Sequence, residues 1–220
     1  MLLQFNIDNR SFHDIIYRNR ITALLQRFVM IVNLQDVAKI QMGYSFRTRL
    51  ESSPEGTIGV IQMKDLLDDN TVNINGVTKM DMLDIKEQHL ASQGDLIFRS
   101  RGLTPTSAIV IDSPEKTVIA APLLRIRIAS KLISPEYLNW YISQHDAQSY
   151  FKRMAKGSSG KMISKQVLGE LKIPIPPMET QIHIAEIASL LLSEQILLKE
   201  ILKKRNQYIS SVLMKFAKGE

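Results

Sequence analysis

The residues best suited to bind a charged ligand lie in a short loop rich in lysine, glycine and serine. Between Lys152 and Lys172 there are six basic residues and one acidic residue, and the central loop reads Ala155-Lys-Gly-Ser-Ser-Gly-Lys161. Small residues let a backbone approach a phosphate, amides and hydroxyls donate hydrogen bonds to it, and lysines add positive charge. The alternative is that the glycines serve turn geometry beside a solvated surface. We predict nucleic-acid phosphate contacts from Lys156, Ser158, Ser159, Lys161 and Lys165.

Two other segments place arginine beside serine, glycine or aromatic residues. The first reads Phe98-Arg-Ser-Arg-Gly102 and follows a predicted strand, and the second reads Met42-Gly-Tyr-Ser-Phe-Arg-Thr-Arg49. A guanidinium group can make paired hydrogen bonds to guanine or to phosphate. The alternative for any one of them is an ordinary surface arginine. The candidate contacts with nucleic acid are Arg99, Arg101, Tyr44, Arg47 and Arg49.

The sequence offers no constellation of residues typical of catalysis. There is no cysteine, and the four histidines are scattered without the close pairs that a metal site needs. The lysine-rich loop resembles a phosphate-binding loop of nucleotide hydrolases only loosely, because Ala155 and Met162 occupy two required positions. We therefore expect no catalytic residue, no metal and no cofactor, and an enzyme with an unrecognised site is the weakest of the readings.

Composition is that of a globular protein with a basic charge balance. The 220 residues are 45% hydrophobic and 23% charged, with a net charge of +6. This length suits one large domain, or one domain with an appendage. No signal peptide opens the sequence, and no apolar run approaches the roughly 18 residues of a membrane span. We expect a cytoplasmic protein that does not enter a membrane.

The periodicity of the chain predicts short strands, then short helices. Residues 1–33 suggest a helix followed by a strand, and residues 34–40 suggest a short helical turn that ends near Gly43. Segments rich in β-branched residues predict strands at 57–61, 96–98, 108–111, 118–120 and 123–128. In the last strand Arg125 and Arg127 alternate with apolar residues, which predicts one solvent-facing side. Ser134 and Pro135 begin a helix, 165–171 form a short helix or turn, and 173–177 form an extended proline-rich strut.

Residues 178 to about 215 contain no proline or glycine and predict one long helix. Seven of nine positions of its heptad seam are apolar, which is typical of a coiled coil. If two copies pair antiparallel about a centre between Lys199 and Glu200, Glu194 of one faces Arg205 of the other. The alternative is that the helix docks on its own domain with both charges at the rim. The predicted dimer seam contains Ile184, Ile187, Leu191, Glu194, Leu198, Ile201, Arg205, Tyr208 and Val212.

An ordered series of sequence blocks resembles the specificity subunit of type I restriction–modification systems. The blocks are Leu34-x-Asp-Val-x-x-Ile-x-x-Gly43, Ile58-Gly-Val-Ile61 with Asp65-Leu66, Leu90-x-x-x-Gly-Asp-Leu-Ile97 with 99–102, Ser134-Pro-Glu-Tyr-Leu138, and Gly160 with Ile163-Ser164 running into Leu171-x-Ile-Pro-Ile-Pro-Pro177, Gln181 and Ile184-Ala185. The resemblance implies an α+β fold: a mixed-sheet target recognition domain with short helices at 34–177, then one long C-terminal coiled-coil helix at 178–220, with a lead-in at 1–33.

The same resemblance implies a non-catalytic protein that reads double-stranded DNA. It would hold DNA methyltransferase subunits, and with them a restriction subunit, on its target. Members of this family carry two recognition domains and two antiparallel helices, whereas this chain has one of each. An antiparallel homodimer would restore that arrangement and would read a gapped palindrome, one half-site per copy. The alternative function is a stand-alone basic DNA-binding regulator without methyltransferase partners.

Overall fold

The computed structural model of the chain describes residues 29–46, 53, 55–82, 85–102, 104–112, 115–155 and 162–219. Its strands are β1 (Met30–Asn33), β2 (Ala38–Met42), β3 (Ile58–Ile61), β4 (Thr78–Met80), β5 (Leu96–Arg99), β6 (Ser107–Ile109), β7 (Thr117–Ile119), β8 (Leu123–Ile128) and β9 (Lys172–Ile175). Its α-helices are α1 (Leu34–Val37), α2 (Pro135–Ile142), α3 (His145–Met154), α4 (Lys165–Gly169) and α5 (Met178–Lys218). Short 3₁₀ helices lie at Met63–Asp65, Ile74–Gly76 and Glu87–His89.

The central layer is a four-stranded sheet with the strand order β2-β8-β5-β6. All three pairings are antiparallel, and Leu96 of β5 lies opposite Ile126 of β8. One face of this sheet packs against the short helices, where Phe98 and Phe151 lie with ring centroids 5.4 Å apart. Burying aromatic and branched side chains on this face supplies the main hydrophobic stabilisation.

The opposite face of the central sheet packs against a second, three-stranded sheet. Its order is β4-β3-β7, with β3 antiparallel to β4 and parallel to β7. Ile97 and Leu123 of the central sheet share a buried cluster there with Ile61 and Ile119. Parallel and antiparallel pairs occur together, so the expected α+β fold with mixed sheets and short helices is confirmed.

Helices α2 and α4 begin where the sequence predicts them. The Ser134 hydroxyl accepts a hydrogen bond from the Tyr137 amide at 3.1 Å, with Pro135 in the first turn of α2. The Ser164 hydroxyl caps α4 in the same way. An N-terminal hydroxyl stabilises a helix because it satisfies an amide that has no partner within the helix.

The proline-rich strut at 173–177 contributes to β9, which pairs with β1 in a two-stranded sheet. Pro174 lies opposite Ile31. Proline is tolerated here because, among the described residues, β9 pairs with one strand only, so the amide hydrogen that proline lacks is not needed by a wider sheet. The Tyr137 hydroxyl donates to the Pro174 carbonyl at 2.8 Å, and the Tyr141 hydroxyl donates to the Lys172 carbonyl at 3.0 Å. Two tyrosines of α2 therefore hold the strut from which the long helix departs.

Two local expectations from the sequence differ from the structure. Residues 38–42 form strand β2 rather than the end of a helical turn, because pairing with β8 governs their conformation. Arg125 is 7% exposed and does not face solvent. The segment that contains Leu90 folds over that side of β8, and the Leu90 carbonyl accepts a hydrogen bond from Arg125 Nη1 at 2.7 Å.

Helix α5 is a single continuous element of 41 residues, about 62 Å long at 1.5 Å per residue. It begins directly after Pro177 and ends at Gly219, whose φ of 76° is the left-handed conformation that closes many helices. Its buried residue is Gln181, whereas Leu190, Leu197, Leu202 and Phe216 are exposed. The expected long C-terminal helix is confirmed.

Candidate nucleic-acid interface

The segment that contains Tyr44 lies against the turn that precedes β8. The Tyr44 amide donates to the Ile119 carbonyl at 2.6 Å, and the Ala121 amide donates to the Tyr44 carbonyl at 2.9 Å. Tyr44 and Ala120 form an isolated parallel bridge. The first candidate segment is therefore fixed through its backbone, which leaves the half-buried tyrosine side chain at the surface of this turn.

The segment after β5 reaches the same turn from the other side. The Ser100 hydroxyl donates to the Pro122 carbonyl. The Ile163 amide donates to the Ser100 carbonyl at 2.9 Å, and Arg101 forms an isolated antiparallel bridge with Met162. Met162 directly follows the lysine-rich loop in sequence. Two candidate segments thus adjoin one turn, residues 120–123, although they are more than fifty residues apart in the chain. The residues that follow the lysine-rich loop pair with the second of these segments, and the loop residues 156–161 lie outside the described part of the chain.

The predicted contact residues differ in what their side chains do. Arg101 and Lys165 are exposed, and Lys165 lies in the first turn of α4. Arg99 is half-buried, and its Nη2 donates to the Met63 carbonyl at 2.9 Å, which ties β5 to the 3₁₀ helix at 63–65. Arg99 therefore has a contact within the protein itself. Arg47, Arg49, Lys156, Ser158, Ser159 and Lys161 lie outside the described residues.

An aromatic cluster surrounds Tyr44. The Tyr44 ring lies edge-on to Phe46 at a centroid distance of 4.8 Å and to His89 at 5.5 Å. All three residues are half-buried. Rings at a protein surface can stack on bases or sugars. The sequence did not indicate His89, because it comes from a separate 3₁₀ helix more than forty residues along the chain.

A charged network holds that 3₁₀ helix in place. Arg127 makes paired contacts of 2.7 Å with both carboxylate oxygens of Asp95, and its Nη2 also donates to the Ser92 hydroxyl. The Asp95 hydrogen bond raises the pKa of Arg127, whereas burial and then the nearby Arg127 charge lower the pKa of Arg125. Both arginines donate to the Leu90 carbonyl. The network positions residue 90, and with it the neighbouring His89 beside Tyr44.

A second basic feature was missed by the sequence analysis. An open groove of about 710 Å³ runs between edge strand β2 and helix α4. The side chains that could bind an anion there are Lys39 and Lys165, with Gln35 and Gln166 as further hydrogen-bonding groups. Lys39 and Lys165 are more than a hundred positions apart, so no local sequence pattern could pair them.

The described residues contain no group of three or more histidine, aspartate or glutamate side chains able to hold a metal ion. The expectation that the protein binds no metal and no cofactor therefore remains a prediction from the sequence. The chemistry that the described surface offers is hydrogen bonding, charge and aromatic stacking.

The predicted dimer seam runs along the exposed part of α5. Ile187, Leu191, Leu198, Ile201 and Tyr208 are between 53% and 70% exposed, whereas Ile184 and Val212 are half-buried. Glu194 and Arg205 are both exposed. Ile184 packs against the core of the domain. Within the described part of the chain, the seam beyond Ile184 therefore has no protein surface covering it.

The same helix also has the length and apolar composition that could cross a membrane, with very little of it buried in the protein. By length and apolar composition, this helix departs from the sequence-based expectation that no segment could span a membrane. The apolar half of the helix includes Glu186 and Glu194, and an ionised carboxylate inside a bilayer costs several kcal/mol. Length and composition alone are weak grounds for a membrane span.

Comparison with known proteins gives a consistent set of similarities. Residues 28–207 match the family described as type I restriction modification DNA specificity domain. A putative type I restriction enzyme MjaX specificity subunit from Methanocaldococcus jannaschii is 32% identical over 122 residues, which cover 51% of this chain and 29% of that protein. The chain therefore spans less than a third of the length of this curated relative.

Solved structures share the fold at low sequence identity. A structure described as the basis of complex assembly and conformational transition of the type I R-M system matches with a TM-score of 0.60 and 18% identity, covering 90% of this chain and 52% of that one. The HsdS subunit from Thermoanaerobacter tengcongensis matches with a TM-score of 0.53 and 17% identity, covering 81% and 43%. The S subunit from M. genitalium matches with a TM-score of 0.51 and 14% identity over the same shares.

Proposed function

Because the chain belongs to the family of type I restriction–modification DNA specificity domains, we propose that it reads a sequence in double-stranded DNA. The observation that carries this proposal is that the segments of Tyr44 and Ser100 both contact the turn at 120–123, while Met162 and Ile163, which follow the lysine-rich loop, pair with Arg101 and Ser100. Arg101 and Tyr44 supply charge, hydrogen bonds and a ring near that turn, and Lys165 adds charge at the groove beside β2. Lysines position a duplex through its phosphates, whereas arginine and polar side chains can read base edges.

The recognition unit in this proposal is the domain at 34–177, and the arm is the helix at 178–220. In this proposal one domain contacts one half-site. Two chains pair through α5 in antiparallel orientation and place two domains on a gapped palindrome. Support comes from the exposed apolar seam of α5 and from the opposite charges of Glu194 and Arg205.

The antiparallel register gives each buried seam charge an opposite partner. Glu194 of one copy meets Arg205 of the other, whereas a parallel, in-register pair would place Glu194 against Glu194. An unpaired charge buried in an apolar seam costs about 3–5 kcal/mol, so the pair selects orientation more than it adds stability. Helix pairing also places the apolar seam in a protein interior rather than in a membrane.

The chain's partners in this proposal are DNA methyltransferase subunits and, through the same complex, a restriction subunit. The family is one of specificity domains, which are non-catalytic, and the predicted role of this chain is to bring those partners to a DNA site in the cytoplasm. A stand-alone DNA-binding regulator would have the same recognition surface but would not recruit a methyltransferase.

The decisive experiment is selection from a pool of random-sequence DNA duplexes by the purified protein. We expect enrichment of one short sequence repeated in inverted orientation across a fixed gap. The matched control carries Arg101→Ala and Lys165→Ala, and should select the motif weakly or not at all. Enrichment of no sequence by the unaltered protein would contradict DNA reading.

A second experiment separates the two DNA-binding functions. The protein is co-expressed with the type I methyltransferase subunit of its own genome, and adenine methylation is mapped. Methylation at the selected motif, dependent on both proteins, is the expected result. DNA binding without such methylation would support the stand-alone regulator instead.

A further inference from the structure

The junction between the recognition domain and the long helix is held by one buried polar side chain. Gln181 lies one turn into α5 and is 0% exposed. Its Oε1 accepts a hydrogen bond from the Ser134 amide at 2.9 Å. Its Nε2 donates to the Leu132 carbonyl at 2.8 Å and to the Pro176 carbonyl at 2.9 Å. The side-chain amide is therefore fully engaged.

These three contacts join separate parts of the fold. Leu132 and Ser134 lie in the segment that begins α2, and Pro176 lies in the strut that leads into α5. The backbone amide of Gln181 also donates to the Pro177 carbonyl at 3.1 Å. One residue thus fastens the start of α5 both to the domain and to its own strut.

Besides Gln181, the packing of α5 against α2 and a contact with the domain core hold the start of the helix. Ile184 is the α5 residue that packs against the domain core, and from Ile187 onward most large apolar residues of the helix are exposed. A long rigid element attached near one end behaves as a lever. Its direction in the described structure depends on Gln181, Ile184, the strut and the packing of α5 against α2.

We propose that Gln181 is a positioning residue that sets the direction of α5 relative to the recognition domain and thereby fixes the length of the DNA gap between two half-sites. The inference rests on the proposed function, in which α5 joins two domains. From Gln181 to the pairing centre between Lys199 and Glu200 the helix runs about 28 Å. Over that distance a tilt of about 7° moves a point by about 3.4 Å, the rise of one base pair.

The chemistry of the site requires a glutamine. The pocket presents one amide donor and two carbonyl acceptors, which match one amide oxygen and the two hydrogens of an NH₂ group. Glutamate would place carboxylate oxygens against both carbonyls. Methionine would keep the volume but leave the Ser134 amide and both carbonyls without their side-chain partner. Gln207, exposed on the same helix, is a matched control position.

The test compares gap lengths selected from random-sequence duplexes by the unaltered protein, Gln181→Met, Gln181→Ala and Gln207→Ala. We expect the unaltered protein and Gln207→Ala to select one gap length. The Gln181 variants should select the same half-site with a broadened or shifted gap, because the recognition surface is intact while the helix direction is not. A merely structural loss would weaken binding to every gap equally.

The outcomes distinguish this inference from the proposed function. If the unaltered protein selects no inverted half-sites, the proposed function fails and the inference fails with it. If it selects them at one gap and both Gln181 variants retain that same gap, the proposed function stands and the positioning role of Gln181 is wrong.

A distance measurement covers the case in which a variant binds DNA too weakly for selection. The chain has no cysteine, so Lys152→Cys on an exposed helical position gives one spin-labelling site per copy. In the dimer, the label-to-label distance distribution should be narrow with Gln181 and broader in Gln181→Met. Equal widths, with helical content unchanged by circular dichroism, would overturn the proposal.

Discussion

The amide of Ile163 donates a hydrogen bond to the carbonyl of Ser100 at 2.9 Å. This bond joins the residues that follow the lysine-rich loop to the arginine-containing segment after β5. The Arg101–Met162 bridge lies beside it. Backbone pairing thereby holds the arginine-containing segment against the residues that follow the lysine-rich loop, and substitutions of surface side chains can test the interface without disturbing that pairing.

Replacing Arg101 by alanine should weaken DNA binding with little effect on stability, because its side chain is exposed. Arg99→Ala should instead lower the free energy of unfolding by about 1 kcal/mol, since the Met63 carbonyl loses a charged donor. Urea unfolding and DNA titration of both variants separate the two roles. A stable Arg99→Ala protein that no longer binds DNA would show that Arg99 contacts DNA as well.

Removing lysines that touch phosphate should reduce the salt dependence of DNA binding. For Lys165→Ala, Lys156→Ala and Lys161→Ala we expect the slope of log affinity against log salt to fall by about one each, because each contact releases roughly one counterion. Lys131→Ala, at an exposed position preceding α2, provides a charge-matched control. An unchanged slope for a given lysine would mean that this lysine does not touch phosphate.

Charge reversal in the α5 seam should abolish and then restore dimerisation. Glu194→Arg places two arginines opposite each other in the antiparallel register. The dissociation constant of the dimer should therefore rise by a factor of a hundred or more, equivalent to about 3 kcal/mol. Adding Arg205→Glu recreates an opposite pair. Sedimentation equilibrium measures the association, and Glu200→Arg, outside the seam, is the control. A double variant that stays monomeric would exclude this register.

The Asp95–Arg127 pair should matter for stability more than its partial exposure suggests. Asp95 is buried and accepts from Arg127 and from the Ser92 amide. Asp95→Asn turns one acceptor into a donor and should lower the free energy of unfolding by about 2 kcal/mol. Glu87→Gln, an exposed acid nearby, should change it little. Thermal unfolding of the two variants measures the difference, and equal melting temperatures would contradict it.

Stability should decline at alkaline pH because of Tyr137. Burial, and then the neighbouring Tyr141, raise the pKa of Tyr137 to about 12 from its ordinary value of 10.0. The unfolded chain loses this proton first, so the stabilisation is full below about pH 10 and is lost as pH rises through about 12. Urea unfolding across this pH range should show that the free energy of unfolding declines less in Tyr137→Phe than in the unaltered protein. Tyr208→Phe, at an exposed position, should decline like the unaltered protein.

Sequence patterns predicted the helices and strands whose conformation is determined by their own residues. Ser134 and Pro135 mark a helix start by their own chemistry, and residues 178–218 lack any helix-breaking residue. Arg125 shows the limit of such patterns. Its alternation with apolar neighbours indicated solvent, but the segment that covers it comes from more than thirty residues earlier in the chain.

In the candidate site, too, some features follow from local sequence and others from tertiary contacts. The composition of each segment could be recognised from sequence, including Arg101 and Lys165. The pairing of Ser100 and Arg101 with Ile163 and Met162 depends on backbone contacts between distant parts of the chain, and so could not be predicted. Lys39, His89 and the junction role of Gln181 depend on such tertiary contacts, although Gln181 already belonged to a recognisable sequence block.

Because most apolar side chains of α5 are exposed in the described structure, the stability of this helix depends on the concentration of any partner that binds them. A surface that binds the folded helix and not the unfolded chain stabilises it by mass action, in proportion to the logarithm of the partner's concentration relative to the dissociation constant. The recognition domain has its own core and does not share this dependence. In the proposed dimer, the helix would therefore become more stable as the concentration of the chain rises, and dilution would make it more susceptible to proteolysis.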